Sequence, residues 1–405
     1  MSTATLEATV PLCVDLDGTL LASDVLWESF LALVRQKPWL LPALPVWLLR
    51  GRAHLKRQLA RHVSLDPASL PYDAELLEML RAERAGGREL ILATASDIGP
   101  ASAVAAHLGI FSAVCASDGT TNNDGERKLA AIQAQVANGR FDYIGDSSKD
   151  LPVWRAARQA MLVDPSRRLL QQANKDAHVV RVFARKRAGA MALLRALRPH
   201  QWVKNTLLFV PLLLSHNLDR EGLVVDGLLA FLAFCLSASS VYVTNDLLDL
   251  EADRGHPRKR LRPFAAGQLR IGTGVLMAPL LLVAAMTLAA VFLPPMFVAA
   301  LVTYVVLSTA YSLYIKRVVL LDVFLLAALY TWRVLAGGVA TGIVISPWLA
   351  AFSLFFFTSL AFLKRYSELL LLRNHQQHQF QRRDYAASDM DLLRSVGSAS
   401  GFVSV

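Results

Sequence analysis

Cysteine is scarce in this chain, with three in 405 residues: Cys13, Cys115 and Cys235. Their separations match no metal-ligand spacing, which excludes a cysteine metal site, and all three read as reduced, buried small residues. Residues 1–10 lack both a basic start and an apolar core. No signal peptide is therefore expected, and the domain that follows should stay in the cytosol. Charge is also sparse, at 18% of residues with a net value of +10. The positive surplus gathers at 181–204, 254–270, 316–317 and 364–383. That grouping suits an anionic membrane surface and small anionic substrates, and no nucleic-acid partner is expected.

Apolar residues are abundant, at 54%, with a mean hydropathy of +0.39. Residues 1 to about 185 hold only short apolar runs among mixed charge and read as a soluble α/β domain. Longer runs follow at about 206–215, 223–244, 272–293, 296–313, 318–340 and 347–363. Short loops separate them, the pattern of an all-α polytopic membrane bundle. The first falls short of the roughly 20 residues that a span needs and would have to borrow Trp202 and its flanks. Lys and Arg occupy every second loop, at Arg198 and Lys204, 254–270, Lys316 and Arg317, and Lys364 and Arg365. The positive-inside rule places those loops, and the N-terminal domain with them, on the cytosolic side of the cytoplasmic membrane. Asp322 and Arg333 lie on one face of a segment, either as a structural ion pair or as the wall of a substrate cavity.

The second long run ends in Asn245-Asp246-Leu247-Leu248-Asp249-Leu250-Glu251-Ala252-Asp253, and a basic loop to Pro263 follows at once. On a helix, Asp246, Asp249 and Asp253 fall at i, i+3 and i+7 and share a face. Such stacking calls for a cation, and Mg²⁺ favours carboxylates together with phosphate oxygens. Arg258, Lys259, Arg260 and Arg262 would hold further phosphate oxygens. The pattern reads as a site for a diphosphate brought to a membrane; the plainer alternative is a solvated helix end with juxtamembrane charges.

In the N-terminal half, Leu12-Cys13-Val14 reads as a buried strand running into Asp15-Leu16-Asp17-Gly18-Thr19. Alternation puts Asp15 and Asp17 on one side, at the sheet edge where α/β folds place their chemistry. Gly18 allows close backbone approach to a ligand. Leu90-Ile91-Leu92-Ala93 delivers Thr94, and Lys128 follows in Gly125-Glu126-Arg127-Lys128. A third strand, Phe141-Asp142-Tyr143-Ile144, leads to Gly145-Asp146-Ser147-Ser148-Lys149-Asp150. Residues 22–86 read as helical. Their apolar stretch 39–49, broken by Pro42 and Pro45, is too short to span and should pack in that helical layer or rest on a bilayer. Residues 181–197, with Arg181, Arg185, Lys186, Arg187 and Arg195, read as a basic linker helix at an anionic headgroup surface.

These N-terminal motifs, in this order, resemble those of the haloacid dehalogenase superfamily of phosphohydrolases. The resemblance implies a Rossmann-like α/β domain with a helical cap over 1–180. It also implies that Asp15 is the nucleophile and Asp17 the acid and base. Mg²⁺ would be held by Asp15 and Asp146, with Asp150 as a candidate and Asp17 through its backbone carbonyl. Thr94 and Lys128 would bind phosphoryl oxygens; the opposing reading is a degenerate scaffold. Residues 198–405 resemble the UbiA superfamily of intramembrane prenyltransferases, on the Asp246, Asp249 and Asp253 motif. Three further stretches resemble its branch that makes polyprenyl-phosphate phosphoribose: Arg198-Pro199-His200-Gln201-Trp202-Val203-Lys204-Asn205, residues 253–263, and Lys364-Arg365-Tyr366-Ser367-Glu368.

That branch implies phosphoribosyl diphosphate as donor and a polyprenyl phosphate as acceptor. Asp246, Asp249 and Asp253 would serve catalysis with Mg²⁺. Lys204, Asn205, Asn245, Lys364, Arg365 and Glu368 would join the basic loop in binding substrate. A second aspartate-rich motif is missing after the last run, where Lys364, Arg365 and Glu368 precede Asp384 and Asp389. More cations and fewer carboxylates suit a phosphate acceptor better than an aromatic one. The family has about nine segments, whereas six are legible here with a further one starting at 401–405, so the C-terminal region reads as incomplete. The expectation is a transferase whose phosphorylated product is trimmed by the fused phosphatase. The alternatives are prenyl transfer to an aromatic acceptor with an accessory phosphatase, and a lipid-phosphate carrier; a homo-oligomer stays open.

Overall fold

The computed structural model describes residues 10–136, 138–185, 189–375 and 389–404. The chain divides into two compact units, Met1–Leu193 with Asp246–Gly274, and Leu194–Asn245 with Val275–Val405.

The first unit is built on six parallel strands: β1 Leu12–Val14, β2 Leu90–Asp97, β3 Ala113–Ser117, β4 Asp142–Gly145, β5 Ala160–Val163 and β6 Val179–Phe183. They lie in the order β3-β2-β1-β4-β5-β6. Short apolar runs become strands here because helices cover both faces, so no polar alternation is needed. β1 is fully buried, with Val14 in register with Leu92 on one side and Ile144 on the other. The chain winds outward through β2 and β3, then returns to start β4 beside β1. The carboxyl ends at that switch point open the crevice where such sheets bind ligands.

The helical cap follows β1 as expected, with helices Val25–Gln36, Leu44–Leu49, Arg52–His62 and Ala74–Ala85 before β2. Asp24 and Asp73 cap two of them by accepting from Leu26 N and Leu76 N, satisfying amides that have no intrahelical partner. The apolar stretch 38–49 divides its two faces. Leu40, Leu41, Leu44 and Trp47 pack on Leu33, Leu59 and Val63, while Trp39, Val46, Leu48 and Leu49 stand exposed. Core packing thus accounts for half of it.

The expected linker helix over 181–197 is corrected. Residues 179–183 form β6, and helix begins only at Gly189–Leu197. Three valines and a phenylalanine favour the extended state, and β5 offers a free edge to pair with. Arg181 meets Glu75, and Arg185 turns back into the domain. Lys186, Arg187 and Asp384 lie outside the described residues.

The second unit is all-α. Among the described residues, five helices are long and apolar enough to cross a membrane: Glu221–Leu248, Ile271–Phe292, Pro295–Leu313, Leu321–Thr341 and Pro347–Leu370. Phe234, Phe297, Leu301 and Leu329 form part of a buried core. Leu276, Leu280, Val283 and Val291 face outward; such a surface is costly in water and is what lipid requires. The short run near 206 does not become a sixth long helix. It folds as a 3₁₀ helix Pro199–Phe209 and a five-residue helix Val210–Leu214, with Pro199 and Pro211 each removing an amide donor. A Cβ at Gly337 would collide with the Leu208 carbonyl oxygen, so glycine lets helix Leu321–Thr341 pack on this segment at backbone distance. Residues 401–404 continue helix Met390–Ser404 and do not begin a new segment.

Candidate active sites

At the carboxyl ends of β1 and β4 the first unit gathers a carboxylate cluster around one lysine. Asp15, 5% exposed, accepts from Lys128 Nζ at 3.0 Å. Lys128, on helix Glu126–Gln135, also donates to Asp150 Oδ1 at 2.9 Å and to Tyr143 Oη at 2.9 Å. Tyr143 Oη donates in turn to Asp150 Oδ1 at 2.8 Å. The other oxygen of Asp150 accepts from Ser147 N at 3.1 Å and Ser147 Oγ at 3.2 Å. Asp146 lies against Gly18, where φ is +75° and a Cβ would collide with Asp146 Oδ2. Glycine is required there for both conformation and space.

Ligand atoms of Asp15, Asp146 and Asp150 all lie within 4.8 Å of one another. Burial raises the Asp15 carboxyl well above the usual carboxylate range, against the pull of Lys128. Burial, with Asp150 beside it, raises Asp146 to about 7, and the charges of Arg270, Lys128 and Arg185 oppose that rise. Burial works against Asp150 too, but Lys128, Tyr143 and Ser147 hold it below its ordinary value. With all three carboxylates ionised, the one ammonium would leave two negative charges in a nearly dry cluster. That donor set fits a hard divalent cation bound through oxygen, as Mg²⁺ is.

A pH dependence follows. Metal-free Asp146 is largely protonated below about 7, so Mg²⁺ must displace a proton there. Its apparent affinity should weaken by about tenfold or more per pH unit as the pH falls below that value, because the raised Asp15 carboxyl must lose its proton too. Calorimetric titration of Mg²⁺ between mildly acidic and mildly basic pH measures this; a flat profile would contradict it. The same raised carboxyl favours the metal-free fold at low pH, an advantage lost as the pH rises through about 7.

Asp17 stands apart from that cluster. Its Oδ1 accepts from Val25 N at 2.7 Å, and its Oδ2 from Ser96 Oγ at 2.5 Å and Thr94 Oγ1 at 3.4 Å. The start of the cap helix and β2 therefore fix the side chain, away from the three clustered carboxylates. Tyr143, Ser96, Lys56 and Arg185 were not read from the sequence as site residues, Arg185 having been assigned to the linker. Lys56 Nζ reaches Ala95 O at 2.5 Å and Asn122 Oδ1 at 3.0 Å. Arg185 donates to Gly18 O at 2.7 Å, to Asp73 Oδ2 at 2.9 Å and to Thr19 O. Ser96 shared the period-two face of Thr94 and was legible on that ground; nothing local marks the other three.

The aspartate-rich segment also belongs to the first unit. Helix Glu221–Leu248 stops before Asp249, which leads into the short helix Leu250–Arg254. The three aspartates thus do not share one uninterrupted helix face. Asp246 and Asp253 are buried and meet at Arg262, whose Nη1 donates to Asp246 Oδ1 at 3.1 Å and Asp253 Oδ2 at 2.5 Å. The cation between the carboxylates is a guanidinium. Arg262, expected among the phosphate ligands, is held inside the motif, while Arg258 and Arg260 stand exposed and Lys259 half-buried. Among the described residues the three aspartates do not close into a metal-ligating group like that of Asp15, Asp146 and Asp150. Asp253 Oδ1 is nonetheless buried with no hydrogen-bond partner. Burial raises its carboxyl, against Arg262. An orphaned buried acceptor of this kind is one that a bound cation would satisfy.

In the second unit, the ion pair that was one of the two readings of Asp322 and Arg333 does not form. Asp322 Oδ2 accepts from Arg365 Nε at 2.6 Å. Arg365 also donates to Glu368 Oε2 at 2.6 Å and Tyr311 Oη at 3.2 Å, so it is held within the bundle. Arg333 donates to Asn205 Oδ1 at 2.9 Å, Tyr304 Oη at 3.1 Å and Leu329 O at 2.6 Å. Buried guanidiniums are tolerated only with such complete pairing. Asn245 Nδ2 donates to Ser312 Oγ at 2.8 Å. Half-buried Lys204 feels the like charges of Lys364, Arg333 and Arg198, and Lys364 is exposed. Lys204 and Lys364 therefore keep the character of phosphate ligands better than Arg365 does.

Comparison with known proteins bears on both units. The haloacid dehalogenase-like hydrolase profile matches residues 12–155, and that of the UbiA prenyltransferase family matches 208–383. The uncharacterized protein y4nM of Sinorhizobium fredii is 39% identical over 98% of this chain and 77% of its own length. Nodulation protein NoeC of Azorhizobium caulinodans is 41% identical over 53% of this chain and 69% of its own. Decaprenyl-phosphate phosphoribosyltransferase of Corynebacterium glutamicum is 37% identical over 45% of this chain and 56% of its own. One relative thus matches both halves together, and the two profiles fall on the two motif sets in order. The chain is an enzyme that belongs to the UbiA prenyltransferase family, with a haloacid dehalogenase-like hydrolase domain joined at its N-terminal side.

Proposed function

We propose that this enzyme moves the 5-phosphoribosyl group of phosphoribosyl diphosphate onto a polyprenyl phosphate, then removes the 5-phosphate. The product would be polyprenyl-phosphate ribose for cell-surface glycan synthesis. The observation that carries this reading is the Asp15–Lys128–Asp150 cluster, assembled for phosphoester hydrolysis in the same chain as the transferase motifs. The phosphoribosyl transfer would leave just such an ester. The Corynebacterium relative's name supports the transferred phosphoribosyl group and a polyprenyl phosphate acceptor for the membrane half, where its similarity lies.

In the hydrolase, a carboxylate oxygen of Asp15 attacks phosphorus and the ribose O5–phosphorus bond breaks. Asp17 gives its proton to the departing O5, then takes one from the water that hydrolyses the aspartyl phosphate to inorganic phosphate. Thr94 and Lys128 hold phosphoryl oxygens as charge builds. Mg²⁺ at Asp15, Asp146 and Asp150 would offset repulsion between the carboxylate and the phosphate. In the transferase, Asp246, Asp249 and Asp253 would hold Mg²⁺, which would neutralise the departing diphosphate, and Arg258, Lys259 and Arg260 would bind its oxygens. Lys204 and Lys364 take the lipid phosphate. The basic loops support a cytosolic location for this chemistry, at the cytoplasmic membrane.

The test uses purified protein in detergent with Mg²⁺, ribose-labelled phosphoribosyl diphosphate and a polyprenyl phosphate. Labelled lipid ribose is the expected product. Absence of labelled lipid, with prenylation of an aromatic acid from a prenyl diphosphate instead, would replace this reading with the alternative.

A further inference from the structure

The helix between Asp249 and Arg254 presents two kinds of residue. Asp253 turns toward Arg262 and Asp246, while Glu251 and Arg254 meet the hydrolase cap. Arg254 Nη2 donates to Glu28 Oε1 at 2.6 Å, and its Nη1 to Glu28 Oε2 at 3.3 Å and Ser69 O at 3.4 Å. Both side chains of that pair are about nine-tenths buried. Glu251 pairs with Arg35 at a more exposed position. Glu28 and Arg35 lie two helical turns apart on helix Val25–Gln36 and so share a face. The two ion pairs are reversed in sign, which admits one register and opposes its inverse.

Contacts continue along the loop. A Cβ at Gly267 would come within 2.9 Å of Ala22 Cβ, and one at Gly272 within 3.3 Å of the Trp27 ring. Residues 22–35 thus hold the 251–272 segment at several points, two of them, Glu251 and Arg254, on either side of Asp253. The exposed Arg35–Glu251 pair contributes little on its own. The buried pair is different, because removing one partner strands a charge without water. Burying an ion pair is poor value for stability alone, and its best-attested use is to fix a register.

We infer that the hydrolase cap is a working part of the transferase: Glu28, through Arg254, positions Asp253 and hence the aspartate-rich motif. This rests on the reading of that motif as the transferase site. Glu28 is a positioning residue and touches no substrate. The consequence is that the hydrolase domain serves transfer even when its own chemistry is switched off.

The experiment compares full-length wild type, Glu28→Ala, and the reversed pair Glu28→Arg with Arg254→Glu. Transfer is followed with phosphoribosyl diphosphate, hydrolysis with p-nitrophenyl phosphate, and hydrogen exchange at 246–262. Glu28→Ala should lower kcat for transfer by about 10–100-fold, the usual cost of losing an outer-shell support. Hydrolysis should persist, and exchange should rise at 246–262 but not in β1 or β4. The reversed pair should recover both transfer and protection. Unchanged exchange in Glu28→Ala, or loss of hydrolysis in step with transfer, overturns the inference. If wild type itself fails to transfer, the two-step reading falls, and the exchange comparison still decides whether Glu28 positions the motif.

Discussion

Asp15→Asn should stop dephosphorylation while transfer continues, so that labelled lipid accumulates as the ribose 5-phosphate ester. An amide has no carboxylate oxygen to attack phosphorus, and loss of a nucleophile lowers turnover by about 10³-fold or more. The change should not unfold the domain. Asp15 is one of three clustered carboxylates whose burial is already unfavourable, and Lys128 would keep Asp150 and Tyr143 as partners. Chromatography of the labelled lipid, with inorganic phosphate release measured alongside, separates the two steps. Phosphate release at the wild-type rate would remove Asp15 from the mechanism.

The second large effect is expected at Asp253. Asp253→Ala should lower transfer by about 10²-fold or more, while hydrolysis of p-nitrophenyl phosphate by the Asp15 cluster persists. This residue supplies one side of the Arg262 clamp and a buried oxygen without a hydrogen-bond partner. Its loss would release Arg262 and leave Asp246 with a changed neighbour. Glu28 and Arg254 do not contact the substituted side chain, so loss of activity would reflect the motif and not detachment of its helix. Wild-type transfer rates in Asp253→Ala would show that the carboxylates of this segment are not the transferase site.

Much of the architecture was readable from local pattern. Residues 12–20 and 90–94 gave strand ends carrying Asp15, Asp17 and Thr94, because a buried strand must be apolar and its end must not be. The long apolar runs were equally plain, since about 20 residues without charge have few other uses. Harder were places where two signals competed. Residues 179–185 carried charge suited to a surface helix and β-branched residues suited to a strand, and the open edge of β5 decided for the strand. Residues 206–215 were apolar but short for a span, and Pro199 and Pro211 instead start a 3₁₀ helix and a five-residue helix there.

The sequence by itself determined the chemistry of each half: which carboxylates sit at strand ends, which follow an apolar helix, and where the cations lie. Those features depend on residue type and short-range periodicity, which neighbours along the chain already express. Only the tertiary structure decided how the charges pair. Arg262 lies between Asp246 and Asp253, Arg365 answers Asp322, Arg333 turns to Asn205, and Glu28 reaches Arg254 across 226 positions. Ion pairing is a matter of distance in space and of which sites exclude water, and neither quantity is written in the order of the residues.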